Sequence, residues 1–216
     1  MATDVRYSRE DLVRVLSEWT PEWEGAQTFP VRYPCTEEVY LALDQSLFLE
    51  FADGFLEVLP MPTIFHQLIL GFLYRQLDAF VAAGRLGTVV LAPYRVRVGR
   101  GKHREPDVLF IKSEHRSGIG KDFCTKADLV MEIVSESNRC HDLVTKRDEY
   151  ARAGIPEYWI VEPEQETITV FVLKPRPKTY VEHGVFRKGQ RAASKLLPGF
   201  TVDVTAAITQ KPDRLR

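Results

Sequence analysis

Apolar positions recur along this chain at two spacings, and the switches between them mark out helices and strands. Leu12, Val15, Leu16 and Trp19 share one face of a short helix that Ser8 caps, with Asp11 in the reciprocal capping position. Prolines and a glycine interrupt the pattern between Pro21 and Pro34, after which Thr36 caps a second short helix that turns Val39, Tyr40 and Leu43 inward. Leu47 to Phe51 and Phe55 to Leu59 flank Asp53-Gly54, a dipeptide that supplies the positive φ angles of a tight turn, so an antiparallel hairpin is expected. The longest helix runs from about Phe65 to Ala83, with Ile69, Phe72, Leu73, Gln76, Leu77, Phe80 and Val81 inward, and Gly84 stopping it. Strands are expected at Thr88 to Leu91 and Tyr94 to Val98, then at Asp107 and through Glu132 to Ser135. Asp142 opens a helix ending at Gly154, Tyr158 to Val161 and Thr167 to Leu173 supply further strands, and the remainder is short and β-rich.

With 216 residues, 44% hydrophobic and 11% aromatic, the chain suits one domain with a substantial core, which excludes disorder and fibrous repeats. Lys and Arg total 29 against 30 Asp and Glu, so any contact with a polyanion must be local rather than a property of the whole molecule. The odd set Cys35, Cys124 and Cys140 contains no CxxC pair, which argues against a disulfide framework or zinc knuckle and for a reducing cytosol. The first residues lack an apolar signal core, and no run of about 18 apolar residues is available for a membrane span. A soluble, cytoplasmic protein without membrane contact is therefore expected.

Two strand runs each carry one acid that a strand has no structural use for. Asp107 begins Val108-Leu109-Phe110-Ile111, and Glu132 interrupts Leu129-Val130-Met131-Glu132-Ile133-Val134. Desolvating an unpaired carboxylate is expensive unless a cation or donors compensate. If the two strands lie side by side, joined by the loop 112–127, both acids converge on one ion of the hard kind that phosphodiester cleavage needs, with the Ile133 carbonyl as a further ligand. Asp142, Lys146 and Tyr150 recur at i, i+4 and i+8 on the following helix, so Lys146 can reach the scissile phosphate or the attacking water. The competing accounts are a backbone-bonded strand start for Asp107, a buried ion pair for Glu132, and a solvated lysine paired with Asp142 or Glu149 for Lys146. His66, in the first turn of the long helix, is a candidate phosphate or water contact or else a capping or surface histidine. The run Arg95, Arg97, Arg100, Lys102, His103 and Arg104 precedes the Asp107 strand and reads either as a DNA-phosphate contact or as a solvated strand and loop.

Taken together, Thr36-Glu37-Glu38, Leu49-Glu50 with Asp53-Gly54, Pro62 with His66-Gln67, Glu105-Pro106-Asp107, Glu132-Ile133-Val134-Ser135, Asp142 with Lys146 and Tyr150, and Gly154-Ile155-Pro156-Glu157-Tyr158-Trp159 resemble one family. It is the Uma-type (Uma-two) family of restriction endonucleases within the PD-(D/E)XK nuclease superfamily, and the resemblance covers about residues 36 to 207. It implies an α/β fold with a restriction-endonuclease-like core, a mixed central sheet flanked by helices, and an N-terminal hairpin and helical appendage. It further implies Mg²⁺ or Mn²⁺ at Asp107 and Glu132, DNA as substrate, and Glu50 as a supplementary ligand or partner of Lys146, a cross-strand salt bridge being the alternative. Where the superfamily has lysine two residues after the second acid this chain has Val134, and the family moves the lysine to the helix, here Lys146. Glu136 stands where the family commonly has proline. The expected organisation is an appendage over 1–35, the nuclease-like domain over 36–207 and a tail over 208–216. Cutting both strands needs two sites, so a homodimer is expected. The alternative function is a catalytically inactive nuclease-fold module that binds DNA or regulates.

Overall fold

The computed structural model describes residues 7–18, 31–43, 48–135, 139 and 141–211. Trp19, Leu47, Glu136 and Cys140 lie outside them. Helix α1 (Arg9–Glu18) starts as its sequence requires: the Ser8 amide donates to Asp11 Oδ2 at 3.2 Å and the Asp11 amide donates to Ser8 Oγ at 3.1 Å. Strand β1 (Val31–Pro34) leads into α2 (Glu37–Leu41), which Thr36 caps by accepting from the Val39 amide at 3.2 Å. The hairpin β2 (Leu49–Ala52) and β3 (Phe55–Val58) turns at Asp53 and Gly54, both with positive φ, of 54° and 86°.

Helix α3 (Ile64–Gly84) is capped by Thr63 and buries Ile69, Leu70, Leu73, Leu77 and Val81. Gly84 lies inside it rather than ending it; Arg85 takes the left-handed position at φ 51°, with its amide closing onto the Val81 and Ala82 carbonyls. Gln76, expected inward, is exposed, and Leu70 takes the buried place. Strands β4 (Gly87–Leu91), β5 (Arg95–Gly99), β6 (Lys102–Arg104), β7 (Val108–Lys112), β8 (Phe123–Cys124) and β9 (Leu129–Ile133) follow. His141–Lys146 winds as a π-helical segment that continues into α4 (Arg147–Ala153), so the Asp142 helix begins wider than the expected α-helix. Its end at Gly154 is as expected, with φ 86°. The chain closes with β10 (Glu157–Glu162), β11 (Thr167–Pro175), β12 (Lys178–Arg187), β13 (Arg191–Ala193), β14 (Thr201–Asp203) and α5 (Val204–Ile208).

These strands form two mixed six-stranded sheets and one small pair. The first sheet runs β1-β3-β2-β6-β5-β8 and the second β12-β11-β10-β9-β7-β4. The hairpin is therefore the centre of a full sheet, and the described part of residues 1–35 belongs with it: β1 pairs with β3, and Leu12 is buried among Tyr40, Leu49 and Leu56. In the second sheet alternate residues face opposite ways, as the twofold repeat of a strand dictates. Val108, Phe110, Leu129, Met131, Trp159 and Val161 pack under α3, whereas Leu109, Ile111, Val130, Tyr158 and Ile160 pack against β5 and α4. Glu132, two residues on from Val130 in β9, shares that second face. Among the described residues no helix is long and apolar enough to cross a membrane.

Candidate active site

Strands β7 and β9 are antiparallel neighbours, with Val108 opposite Met131. Carried one residue further, the same register sets Asp107 opposite Glu132, which is how two acids distant in sequence meet. The Asp107 carboxylate accepts the Ile133 amide at 2.7 Å and faces His66 Nε2 of α3 at 3.2 Å. The backbone-bonded and site-facing accounts of Asp107 thus both hold, because one carboxylate does both. His66 is no surface histidine; it is largely buried, and Asp107 raises its pKa against a burial effect that acts the other way.

Lys146 is the focus of the site. Its Nζ lies 3.1 Å from Glu50 Oε1, 3.2 Å from Glu132 Oε1 and 3.2 Å from Asp142 Oδ1, and only 3% of the residue is exposed. A solvated surface lysine is excluded. The face shared by Asp142, Lys146 and Tyr150 survives the π-helical winding, and the Tyr150 hydroxyl donates to Glu132 Oε1 at 2.6 Å. Burial disfavours the charged ammonium, but Glu132, Glu50 and Asp142 outweigh it and hold Lys146 protonated well above its ordinary range. Burial also dominates at Glu132, whose carboxyl is pushed well up despite Lys146, with Asp142 and Asp107 adding repulsion. Asp142 moves up for the same reason. At Glu50, burial is overcome by Lys146 and Arg104, which keep the carboxyl well below its usual range.

Behind this centre lies a layer of paired charges. Arg104 donates to Glu50 at 2.9 Å and to Glu149 at 2.7 Å, and it also pairs with Glu57, which reaches Arg32 at the surface. Lys102 bridges Glu149 at 3.0 Å and Asp53 at 2.7 Å. This corrects the expected DNA contacts: Arg104 is buried among three glutamates. Arg95 is buried too, bonded to Glu105 at 3.2 Å and stacked 4.2 Å over Tyr40, because α2 covers its end of β5. Neither guanidinium can meet a phosphate. Arg97 and Arg100 are exposed, and Lys102 is half-buried in its two ion pairs. Glu57 escaped the sequence reading, although it carries the same signal as Glu50, an acid within an apolar strand, while Glu149 was read only as a partner for Lys146 and Glu105 only as part of the Glu105-Pro106-Asp107 segment. Burial pushes Glu105 up to about 8 in spite of Arg95.

Asp107, Glu132, Asp142 and Lys146 line a cleft of about 570 Å³ beside α3. Two observations test whether this centre suits a divalent cation. Asp142 Oδ1 is buried without a hydrogen bond, its distance to Lys146 notwithstanding. The acids around Lys146 also carry more negative charge than one ammonium offsets, which burial can relieve only by protonation or by a further cation. The donor set therefore fits. A second group, Glu50, Glu57 and His141, has ligand atoms within 4.8 Å of one another, but Arg104 already pairs with both glutamates there.

Acids on paired strands with a lysine from the next helix, in a mixed α/β core, define a restriction-endonuclease-like fold. The chain belongs to the Uma2 family, described as "Putative restriction endonuclease", whose model matches residues 37–205. Among solved structures it is similar to a protein of Anabaena variabilis ATCC 29413 described as a "putative nuclease", at 16% identity and a TM-score of 0.67 over 82% of this chain and 99% of that one. No curated protein matches the chain.

Proposed function

We propose that this protein is a metal-dependent endonuclease that hydrolyses DNA phosphodiester bonds. The observation that carries the reading is the convergence of Glu132, Asp142 and Glu50 on Lys146 beside Asp107, at the wall of an open cleft. Asp107, Glu132 and the Ile133 carbonyl would hold Mg²⁺ or Mn²⁺. When bound, such a cation neutralises charge on the phosphate and lowers the pKa of a water to make a nucleophile. Lys146 donates to a non-bridging phosphate oxygen or to the attacking water, and it remains a donor at neutral pH because its acids keep it protonated. Glu50, anchored by Arg104 and by the Glu105 amide at 3.1 Å, sets the position of the Lys146 ammonium. His66 and the Ile133 amide meet the same Asp107 oxygen, Oδ2, and together orient that carboxylate.

The test is nicking of supercoiled plasmid in Mg²⁺ or Mn²⁺ by the wild type, Glu132→Ala and Lys146→Met. Wild-type cutting that stops with a chelator, and a loss of at least about a hundredfold in each variant, is the expected outcome for removing a ligand or a charge-stabilising donor. Full activity in Glu132→Ala rejects the assignment. DNA binding without any cutting by the folded wild type favours the non-catalytic module instead.

A further inference from the structure

The cleft has two unlike walls. One is the acidic centre described above; the other is apolar, formed by Phe48, Leu59, Met61, Leu70 and Leu91. Met61 at its lip is 69% exposed, an unusual place for a large apolar side chain to remain in water, and Ile64 nearby on the first turn of α3 is 65% exposed. Gln67 also faces the cleft, and its carboxamide offers both a donor and an acceptor. Lys146 is the one lysine or arginine among the described residues that line the cleft, and three carboxylates already surround it; the imidazole of His66, also in the lining, is taken up by Asp107. A protein that grips a duplex through its phosphates presents several free basic side chains around the site. Here, of the basic run before Asp107, Arg95 and Arg104 are buried inside the fold, Lys102 is held in two ion pairs, and the exposed Arg97 and Arg100 are not among the residues that line the cleft. Attraction for the strand must come from elsewhere, and the apolar wall supplies it. The volume of about 570 Å³ is that of a pocket enclosing a small molecule.

We infer that the cleft takes one unpaired nucleotide of a DNA substrate, with the base against Phe48 and Met61 and its phosphate toward the carboxylates and Lys146. This rests on the nuclease reading and narrows its substrate from DNA in general to DNA with an unstacked or single-stranded position. Base stacking on an aromatic face tolerates any sequence, and Gln67 would add an edge contact that prefers some bases over others.

The experiment uses the full chain and 2-aminopurine oligonucleotides in three forms: single strand, perfect duplex, and duplex with a one-nucleotide bulge at the probe. Binding is followed by probe fluorescence in Ca²⁺ and cleavage in Mg²⁺. The expected result is single-strand and bulge affinities about tenfold or more above the duplex, with a change in probe emission on binding. Met61→Asp, at an exposed position, and Phe48→Leu, which keeps an apolar side chain but removes the aromatic face, should each remove about tenfold of that preference while leaving the melting temperature near that of the wild type. Equal binding and cutting of paired and unpaired DNA, with Glu132→Ala still inactive, overturns the inference and leaves the nuclease reading standing. A preference that survives both variants also overturns it. Absence of Glu132-dependent cutting on any of the three substrates removes both.

Discussion

Arg104 shows what a buried charge demands of its neighbours. Its guanidinium pairs with Glu50, Glu57 and Glu149 at once, so removing it leaves three carboxylates in a place with little water, with Lys146, Arg32 and Lys102 left to offset them. Arg104→Met should cost about 3–5 kcal/mol in urea unfolding, the usual penalty for breaking rather than replacing a buried ionic group. His103 makes a different kind of commitment. Burial is the main force holding its pKa below the ordinary histidine value, Arg97 and Arg95 add to it, and the Glu37 carboxylate at 2.6 Å opposes them. The folded state thus prefers the neutral ring. Its contribution to stability is complete above the unfolded histidine value of about 6.5 and is lost as pH falls from there through the lower folded value. Unfolding free energies of wild type and His103→Gln at pH 7.5 and 5.5 check this: the wild type should lose more stability on acidification than the variant does.

At the level of elements, what was legible in the sequence was local. Thr36 and Thr63 sit at helix starts where a side-chain oxygen meets a free amide, and Asp53-Gly54 turns a hairpin, because capping and turn geometry are decided within four residues. Thr36 and the Asp53-Gly54 turn were read correctly on that basis. The pairing of β7 with β9 was the condition on which the two acids in apolar runs would converge, and the observed register meets it. What stayed hidden was set by distant partners. Strand β6, Lys102-His103-Arg104, looks like a solvated basic loop until Glu50 arrives from 54 residues away and Glu149 from 45. The π-helical opening of the Lys146 helix was equally invisible, because its residues have the spacing of an ordinary helix and only the winding differs. Gly84 was a plausible helix stop that tertiary context overrode: Arg85 bears the left-handed backbone, where a glycine is the commoner choice.

For the whole molecule, the two sheets place the acidic centre where the hairpin sheet, the second sheet and the Lys146 helix come together. Such a centre holds more carboxylates than Lys146 alone offsets, so a further cation that binds there stabilises the native state. At Mg²⁺ or Mn²⁺ a hundredfold above its dissociation constant the gain is about 2.7 kcal/mol, which calorimetry or thermal unfolding detects as a raised melting temperature. Glu132→Gln and Asp107→Asn should lose most of that rise, while Arg97→Gln, at an exposed strand position outside the cleft lining, should keep it. A rise retained in both acid variants would move the cation elsewhere.

The chain of charges running from Arg32 through Glu57, Arg104 and Glu50 to Lys146, and on to Glu132, draws on widely separated parts of the polypeptide. No stretch short of Arg32 to Lys146 contains all of it. A chain cut short within that stretch therefore lacks part of this network. Under the proposed reading as an endonuclease this amounts to an interlock: the lysine at the centre takes its position only when segments distant along the chain have all come together.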